Sequence, residues 1–331
     1  MNPILKPKVW GGRALAALGK RLPPGVLIGE SWELADLPDS VPEGRSTIAN
    51  GELAGMTLRQ AVQHEPNIIM GVAAPTDDGG FPLLIKYLDA QQNLSVQVHP
   101  SPAYAQEHPE AHVKSEAWVV VHAEPGAVIY KGLRPGVTRE QFAEHITTGE
   151  VVNDLVAVPV QRGDCHYLPS GTCHALGAGI VVAEIQTPSD TTFRVYDWGR
   201  NEPGRELHIQ QALQCIDFGP CPHDPHNFSS PIESRRLRTT PLVTSEHFEL
   251  ERVDALEDAD FTLVTNNLPE VWMMLEGRGR IRTSSGQSML ELSPGATVLI
   301  PAALNNATMT LEQGAWVLRV TLPSPLKGML A

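Results

Sequence analysis

The chain has few cysteines, an excess of acidic over basic residues, and no long apolar run. Its four cysteines, among 331 residues, include no C-x-x-C pair, so neither a disulfide framework nor a cysteine-based zinc site is indicated. The formal net charge of −13 argues against nucleic acid or an anionic membrane as the main partner, because either would require an extended basic face. No segment is long and apolar enough to span a bilayer.

Two further signals are missing. Residues Met1 to Pro7 lack the charged-then-apolar pattern of a secretory signal, so we expect a cytoplasmic location. Neither G-x-G-x-x-G after a strand nor G-x4-G-K-[ST] occurs, which leaves nucleotide cofactors without support. With 42% hydrophobic residues the chain can bury a large core, and its length predicts two domains.

Short β-branched and apolar runs, bounded by Gly, Pro and Asp, dominate the middle of the chain. Such runs predict strands of a sandwich or barrel rather than of a parallel α/β sheet. The predicted strands are Leu94 to His99, Trp118 to His122, Ala127 to Tyr130, Ile180 to Gln186 and Thr192 to Tyr196. Capping boxes beginning at Thr57 and Thr138 predict two short helices, and His208 to Leu213 is a third helical candidate.

A set of metal-ligand side chains is split between two segments. Residues Gly163 to His174 read G-x5-P-x-G-x2-H, the spacing of the second sequence motif of a cupin barrel. Upstream, Gln97 and His99 alternate along a strand and therefore point to the same face, where they can both reach a barrel interior. Glu116 opens an apolar strand. We predict that Gln97, His99, Glu116 and His174 converge on a metal ion.

Other histidines offer a competing interpretation. His108 and His112 are four residues apart and could share a helix face, but their segment is polar throughout and favours a solvated loop. A single histidine on a strand is more often a hydrogen-bonded structural residue than a ligand. That structural interpretation is favoured for the histidines without partners in a recognisable spacing, His122, His166, His208, His223 and His226.

A second set of strands is predicted from about Arg238 onward, at Phe248 to Val253, Glu270 to Leu275 and Ser288 to Leu292. The run Ser293 to Pro301 resembles the turn and strand of the cupin motif, but Asn305 and Asn306 stand near the position where His174 would recur. We therefore predict a mainly β protein. It comprises a cupin (jelly-roll) barrel with short helices in residues 1–235 and a degenerate cupin-like β domain in residues 236–331, with Pro220 to His226 as a linker.

The donor types restrict the metal. Oxygen-activating cupins usually present two or three histidines with a glutamate to redox iron, whereas an amide at Gln97 favours a redox-inert ion. We expect one zinc ion per chain, acting as a Lewis acid on a substrate carbonyl or hydroxyl.

Several cations are predicted near the barrel mouth. Lys86 interrupts an apolar strand, where burial of a lysine requires a ligand or a carboxylate partner. Lys114 lies two residues before Glu116 and so on the same face, Lys131 closes a strand, and Arg194 follows a bend. Each of these could equally be a surface or salt-bridged residue. Together they could receive a phosphate.

The chain resembles type I mannose-6-phosphate isomerase in its short bacterial form. The motifs that carry the resemblance are Lys8 to Gly12, Gly29 to Glu33, Pro82 to Lys86, Leu94 to Pro100, Lys114 to Trp118, Gly171 to Ala175 and Gln186 to Asp197. The resemblance is close over residues 3–215. It implies that zinc is held by Gln97, His99, Glu116 and His174, that Arg194 lines the catalytic pocket, and that Lys114, Lys86 and Asp190 are pocket residues.

The resemblance implies a zinc-dependent aldose-ketose isomerase that interconverts D-mannose 6-phosphate and D-fructose 6-phosphate through a cis-enediol. In this interpretation Arg194 and Lys114 are catalytic, and Lys86, Lys131 and Asp190 bind the sugar phosphate. Two alternatives stay open at this point. One is a metal-dependent isomerase or epimerase of another phosphorylated sugar, and the other is a non-catalytic sugar-binding cupin.

Overall fold

The computed structural model describes residues 1–200, 202–220, 230–283 and 289–324, and its first half is built from eleven antiparallel strands. These are β1 (Ile4–Gly12), β2 (Ile28–Leu34), β3 (Leu84–Ala90), β4 (Val96–Val98), β5 (Glu116–Ala123), β6 (Val128–Leu133), β7 (Leu155–Pro159), β8 (Cys165–Leu168), β9 (His174–Leu176), β10 (Ile180–Gln186) and β11 (Phe193–Tyr196). The five strands predicted in this region are confirmed, with boundaries shifted by a few residues.

Helices are short, as expected. They are α1 (Leu58–His64), α2 (Pro66–Ile69), α3 (Pro102–Glu107), α4 (Arg139–Thr148) and α5 (Ile209–Cys215), with 3-10 turns at Ala14–Leu18 and Val151–Asp154. Both predicted capping boxes are confirmed, since Thr57 and Thr138 each cap the third helical residue reciprocally. Helix α3 ends before His108, and His112 is an exposed loop residue, so these two histidines do not share a helix face.

The first half forms a two-layered barrel. A six-stranded sheet of order β1-β2-β3-β10-β5-β8 faces a five-stranded sheet of order β11-β4-β9-β6-β7. Alternation along each strand sends one set of side chains into the barrel. In β4, Val96 and Val98 pack outward with α4 and α5, and Gln97 lies on the opposite, inner face.

The second half repeats this plan. Its strands are β12 (Ile232–Glu233), β13 (Leu237–Thr244), β14 (Glu249–Ala255), β15 (Ala259–Val264), β16 (Glu270–Glu276), β17 (Gly279–Arg282), β18 (Met289–Leu292), β19 (Thr297–Ile300), β20 (Asn305–Leu311) and β21 (Trp316–Thr321). The sheets have orders β12-β13-β14-β21-β16-β19 and β15-β20-β17-β18. Strands β12 to β14, β21, β16 and β19 therefore correspond in order to β1 to β3, β10, β5 and β8, which confirms a second cupin-like unit.

Parts of two predictions lie outside the described residues. The predicted linker Pro220 to His226 lies outside them from residue 221 onward. In the predicted strand Ser288 to Leu292, only Ser288 lies outside them. The division after residue 235 stays a prediction, although β12, just before it, already pairs with β13. Within the described ranges, no helix has the length and apolar character that crossing a membrane requires.

The two halves pack through their six-stranded sheets. One apolar core joins Tyr87 and Ile185 of the first half to Leu250 and Leu318 of the second. Gly295 lies at this interface in the left-handed region, with φ of 84°, and a Cβ there would come within 2.0 Å of the carbonyl oxygen of Leu18. This close approach explains why the predicted turn before β19 uses glycine.

Replacing Gly295 by Ala should reduce the free energy of unfolding by about 3 kcal/mol, because left-handed strain of about 1–2 kcal/mol adds to an overpacking cost of similar size. Gly314 is a matched control, since its φ is 82° but a Cβ there would meet no atom within 4 Å. Gly314→Ala should cost only the strain, about 1–2 kcal/mol. Equal losses for the two variants in denaturant unfolding would contradict the interface role of Gly295.

Candidate active site

One row of side chains crosses the five-stranded sheet on its inner face. The register pairs Arg194 of β11 with Gln97 of β4, Gln97 with His174 of β9, and His174 with Lys131 of β6. Residues paired directly across strands project to the same side of a sheet. The structure therefore brings four of the predicted site residues, which are far apart in sequence, into one line.

Glu116 approaches this row from the opposite sheet. Its Oε1 is 3.2 Å from His174 Nε2, and its Oε2 is 3.4 Å from His99 Nε2. All three side chains are buried, and their ligand atoms lie within 4.8 Å of one another. The predicted convergence of His99, Glu116 and His174 is thus present.

The backbone sets the orientation of both imidazoles. His99 Nδ1 lies 3.0 Å from the carbonyl oxygen of Thr191, and His174 Nδ1 lies 2.8 Å from that of Thr172. A carbonyl can only accept, so each Nδ1 carries the hydrogen and each Nε2 keeps its lone pair. This is the arrangement in which histidines bind metals, with the second nitrogen anchored by an acceptor.

The charges in the cluster also suit a cation. Burial, and then the ammonium of Lys114, lowers the pKa of His99 to about 3, which keeps its imidazole neutral. Burial opposes ionisation of Glu116, but Lys114 and His99 outweigh it and hold the pKa of this carboxyl well below its ordinary value. Metal ligands must be deprotonated in this way.

Neither oxygen of Glu116 has a hydrogen bond of regular geometry, although both are buried. Lys114 Nζ lies 2.7 Å from Oε2 and 3.1 Å from His99 Nε2, so the ammonium borders the cluster. A buried carboxylate with unsatisfied acceptor capacity is costly unless a cation completes it. The residues present therefore fit a bound metal ion.

Gln97 lies beside the cluster. Its amide nitrogen is 3.4 Å from His174 Nε2, and its Oε1 accepts a hydrogen bond of 3.3 Å from Ser95 Oγ. The oxygen and nitrogen ends of a glutamine amide are assigned from the groups they face. Exchanging the two ends would turn the oxygen of Gln97 toward His174 Nε2. Gln97 is positioned to serve as a fourth, oxygen ligand.

A polar cavity of about 350 Å³ opens above the cluster. Its floor includes Gln97, Lys114 and Trp118. The ring of Trp118 makes an edge-to-face contact with His174, with ring centroids 5.4 Å apart. Arg194, Lys86 and Asp190 also line the cavity. The roles that the family resemblance implies for them stay predictions. Lys131 is buried opposite His174 and is not among the described residues that line this cavity. Its role as a substrate contact stays a prediction.

Lys86 does have the carboxylate partners that its burial requires. Its Nζ lies 3.2 Å from Glu184 Oε1 and 3.7 Å from Glu30 Oε2. Two indoles hold these carboxylates, since Trp118 Nε1 donates to Glu184 and Trp32 Nε1 donates to Glu30. Burial would raise the pKa of Glu30, but Lys86 and then Lys8 lower it to about 2.

Several residues of the cavity wall were not predicted from the sequence. Glu184 had a detectable signal, because it is a carboxylate between apolar residues of β10, and Glu30 lies within a motif that carries the family resemblance. Arg205 and His208 had no signal in the sequence that would place them at the cavity. They reach the cavity only because the chain after β11 folds back along that strand.

The second half retains the scaffold but not the ligands. Glu270 opens β16 and pairs with β19 and β21, just as Glu116 opens β5 and pairs with β8 and β10. Arg319 Nη2 lies 2.6 Å from Glu270 Oε1, so a guanidinium neutralises this buried carboxylate. In the described part of the second half, no group of metal-ligand side chains comparable to the first cluster occurs.

The fold and the site define a cupin with a buried cluster of two histidines and one carboxylate that could hold a metal ion. The family model for phosphomannose isomerase type I, catalytic domain, matches residues 1–114. Mannose-6-phosphate isomerase ManA of Bacillus subtilis is 33% identical over 313 residues, covering 92% of both chains. The mannose-6-phosphate isomerase of Streptococcus mutans is 33% identical over 309 residues, covering 90% of both. This chain belongs to the type I mannose-6-phosphate isomerase family.

Solved structures agree with this assignment. The mannose 6-phosphate isomerase from Bacillus subtilis superposes with a TM-score of 0.84 at 27% identity, covering 96% of this chain and 98% of that one. A variant of phosphomannose isomerase from Salmonella typhimurium shares the fold, with a TM-score of 0.71 at 19% identity, covering 97% and 98% of the two chains.

Replacing both His99 and His174 by Ala should abolish stoichiometric binding of a divalent metal, because it removes two of the three buried donors. Elemental analysis of the purified protein measures this directly. His122 is a matched control, since it is exposed and lies on the same strand as Glu116. Undiminished metal in the double variant, or equal loss in His122→Ala, would contradict the assigned site.

Proposed function

We propose that this chain is a zinc-dependent mannose-6-phosphate isomerase that interconverts D-mannose 6-phosphate and D-fructose 6-phosphate through a cis-enediol. The observation that carries the proposal is the buried cluster of His99, Glu116 and His174, which adjoins a polar cavity through Gln97 and Lys114. Membership of the family supplies the substrate. The activity would be cytoplasmic, as the sequence predicts.

Zinc is the metal that this donor set favours. Neutral imidazole and carboxylate suit zinc, and an amide oxygen from Gln97 would complete a four-donor set without redox chemistry. We expect one ion per chain, held by Gln97, His99, Glu116 and His174. When bound, the ion would supply Lewis-acid polarisation of a substrate oxygen.

The chain's own residues would move the proton. Isomerisation of an aldose to a ketose transfers a proton between C2 and C1, and the enediol stage places negative charge on a substrate oxygen. Lys114 Nζ borders the cluster and lines the cavity, so as an ammonium it can donate a proton to the substrate, and the neutral amine that results can then accept one. Arg194 is fixed by Ser95 Oγ at 3.2 Å and by the carbonyl of Glu206 at 3.1 Å, and would face the charge that grows.

The other predicted contacts belong to substrate binding. Lys86 reaches the cavity with its ammonium shared between Glu30 and Glu184, so we propose that this trio meets the sugar hydroxyls. Asp190 lines the cavity rim, where it can accept a hydrogen bond from a hydroxyl. We retain Lys131 as a proposed contact on the strength of its register with His174.

The purified protein should isomerise mannose 6-phosphate in a coupled assay, lose activity on treatment with a chelator, and regain it when zinc is restored, because the cluster needs a cation. A cofactor-free activity that survives complete metal removal would contradict the zinc mechanism. Activity on a different sugar phosphate but none on mannose 6-phosphate would favour the alternative substrate, and stoichiometric sugar binding without turnover would favour a non-catalytic cupin.

Arg194→Ala should lower kcat and kcat/KM by similar factors, on the order of a hundredfold, because one preorganised donor to the growing charge is lost. Ser95→Ala is a comparison variant that keeps Arg194 but removes the hydroxyl that accepts from Arg194 Nε and donates to Gln97, and it should have a smaller effect. Metal content is measured for both. A raised KM with unchanged kcat in Arg194→Ala would show instead that Arg194 only anchors the substrate.

A further inference from the structure

The cavity has a wall that lies beyond Arg194, on the side away from the metal-binding cluster. It is formed by residues 204–208, which follow β11 and fold back along its free edge. The backbone N–H of His208 donates to the carbonyl of Arg194 over 2.8 Å, and Arg194 Nη1 donates to the carbonyl of Glu206. Arg194 of β11 pairs with Gln97 of β4, and the wall lies on the far side of β11. The wall is therefore about two strand spacings, roughly 10 Å, from Gln97.

Arg205 is the cation of this wall, and its guanidinium is held in one plane. Nε donates to Asp197 Oδ2 over 2.6 Å, and Nη2 donates to Asp197 Oδ1 over 2.7 Å. Asp197 is itself buried, and it also receives Arg200 at 2.7 Å. The bidentate pair uses one edge of the Arg205 guanidinium, which leaves the Nη1 group available on a residue that lines the cavity.

The charge of the cavity wall is unevenly distributed. On the side of β2 and β3, Lys8 and Lys86 are offset by Glu30 and Glu184, so that wall is close to neutral. Lys114 is paired with Glu116 at the floor. On the β11 side, Arg194 and Arg205 line the cavity. The buried carboxylate of Asp197 is paired with Arg205 and Arg200, whereas Arg194 donates to Ser95 and to the carbonyl of Glu206.

We propose that Arg205, held by Asp197, binds the phosphate of the sugar phosphate, while the reacting carbons lie at the metal-binding residues. This assignment rests on the proposed function, because it takes the substrate to be a hexose 6-phosphate. C6 is at the opposite end of the carbon chain from C1 and C2, so a phosphate site must lie away from the cluster. The β11 side combines that separation with a cavity-lining guanidinium whose orientation is fixed by Asp197.

Arginine is suited to this role. A guanidinium fixed by a carboxylate on one edge presents its remaining donors to an incoming phosphate without losing side-chain freedom on binding. Asp190 and Glu206 also line this part of the cavity, but both are exposed, and water screens their repulsion of an anion. Arg194 stays available for the growing charge at the reacting end.

The test compares Arg205→Met and Arg205→Lys with Arg200→Met. Arg200 also pairs with Asp197 but is not among the residues lining the cavity, so it controls for disturbance of Asp197. Each zinc-loaded protein is titrated with inorganic phosphate by calorimetry, and KM and kcat are measured with mannose 6-phosphate. Thermal melting confirms that each variant is folded.

Arg205→Met should weaken phosphate binding and raise KM together, on the order of tenfold to a hundredfold, as expected for loss of a charge-assisted donor. The kcat of Arg205→Met should stay within about threefold of that of the original protein. Arg205→Lys should have a KM and a phosphate affinity between those of the original protein and Arg205→Met. Arg200→Met should stay within about threefold of the original protein in every measurement. Equal effects in Arg205→Met and Arg200→Met, or unchanged phosphate binding in Arg205→Met, would overturn the proposal.

The same experiment separates this inference from the proposed function. A protein that fails to isomerise mannose 6-phosphate but binds inorganic phosphate through Arg205 would overturn the function and support the anchor. A protein that isomerises mannose 6-phosphate equally well with and without Arg205 would support the function and overturn the anchor.

Discussion

The first half of this protein depends on keeping the buried carboxylate of Glu116 ionised. Such a group is costly to bury without positive partners, and removing one partner leaves the charge uncompensated. Lys114 supplies one partner at 2.7 Å, and two histidines whose Nε2 lone pairs face Glu116 form, with it, a cluster that could hold a metal ion. The two sheets of the barrel each provide some of these groups, so the site is complete only when the two sheets pack together.

The second half meets the same physical requirement in a different way. Glu270 has the position of Glu116 in the repeated strand order, and its charge is balanced by Arg319 rather than by histidines and a metal. The neighbouring row shows a related exchange. Lys86 pairs with Glu184 across β3 and β10, whereas Glu251 pairs with Arg319 across the corresponding β14 and β21. The scaffold is therefore preserved while the chemistry is lost, and this half contributes the sheet against which the first half packs.

The cavity divides its charges by function. Near the floor, cations and carboxylates are paired at short distances, which fixes side chains around the reacting carbons without attracting a phosphate to them. On the β11 side, Asp197 holds one edge of the Arg205 guanidinium, and the remaining N–H donors of that side chain suit a phosphate. A protein with an overall net charge of −13 can thus still present a fixed guanidinium to its cavity.

The sequence by itself determined the features that depend on local backbone geometry. Alternation along a strand placed Gln97 with His99 and Lys114 with Glu116, and the capping boxes at Thr57 and Thr138 located two helices. The resemblance to a family implied that His174 and Arg194 belong to the same site as these residues. Only the tertiary structure decided that Arg194, Gln97, His174 and Lys131 form one row, that Lys86 is shared between Glu30 and Glu184, and that Arg205 reaches the cavity. The physical reason is that strand order and register follow from burial across the whole chain, and short-range spacing carries no information about partners a hundred residues away.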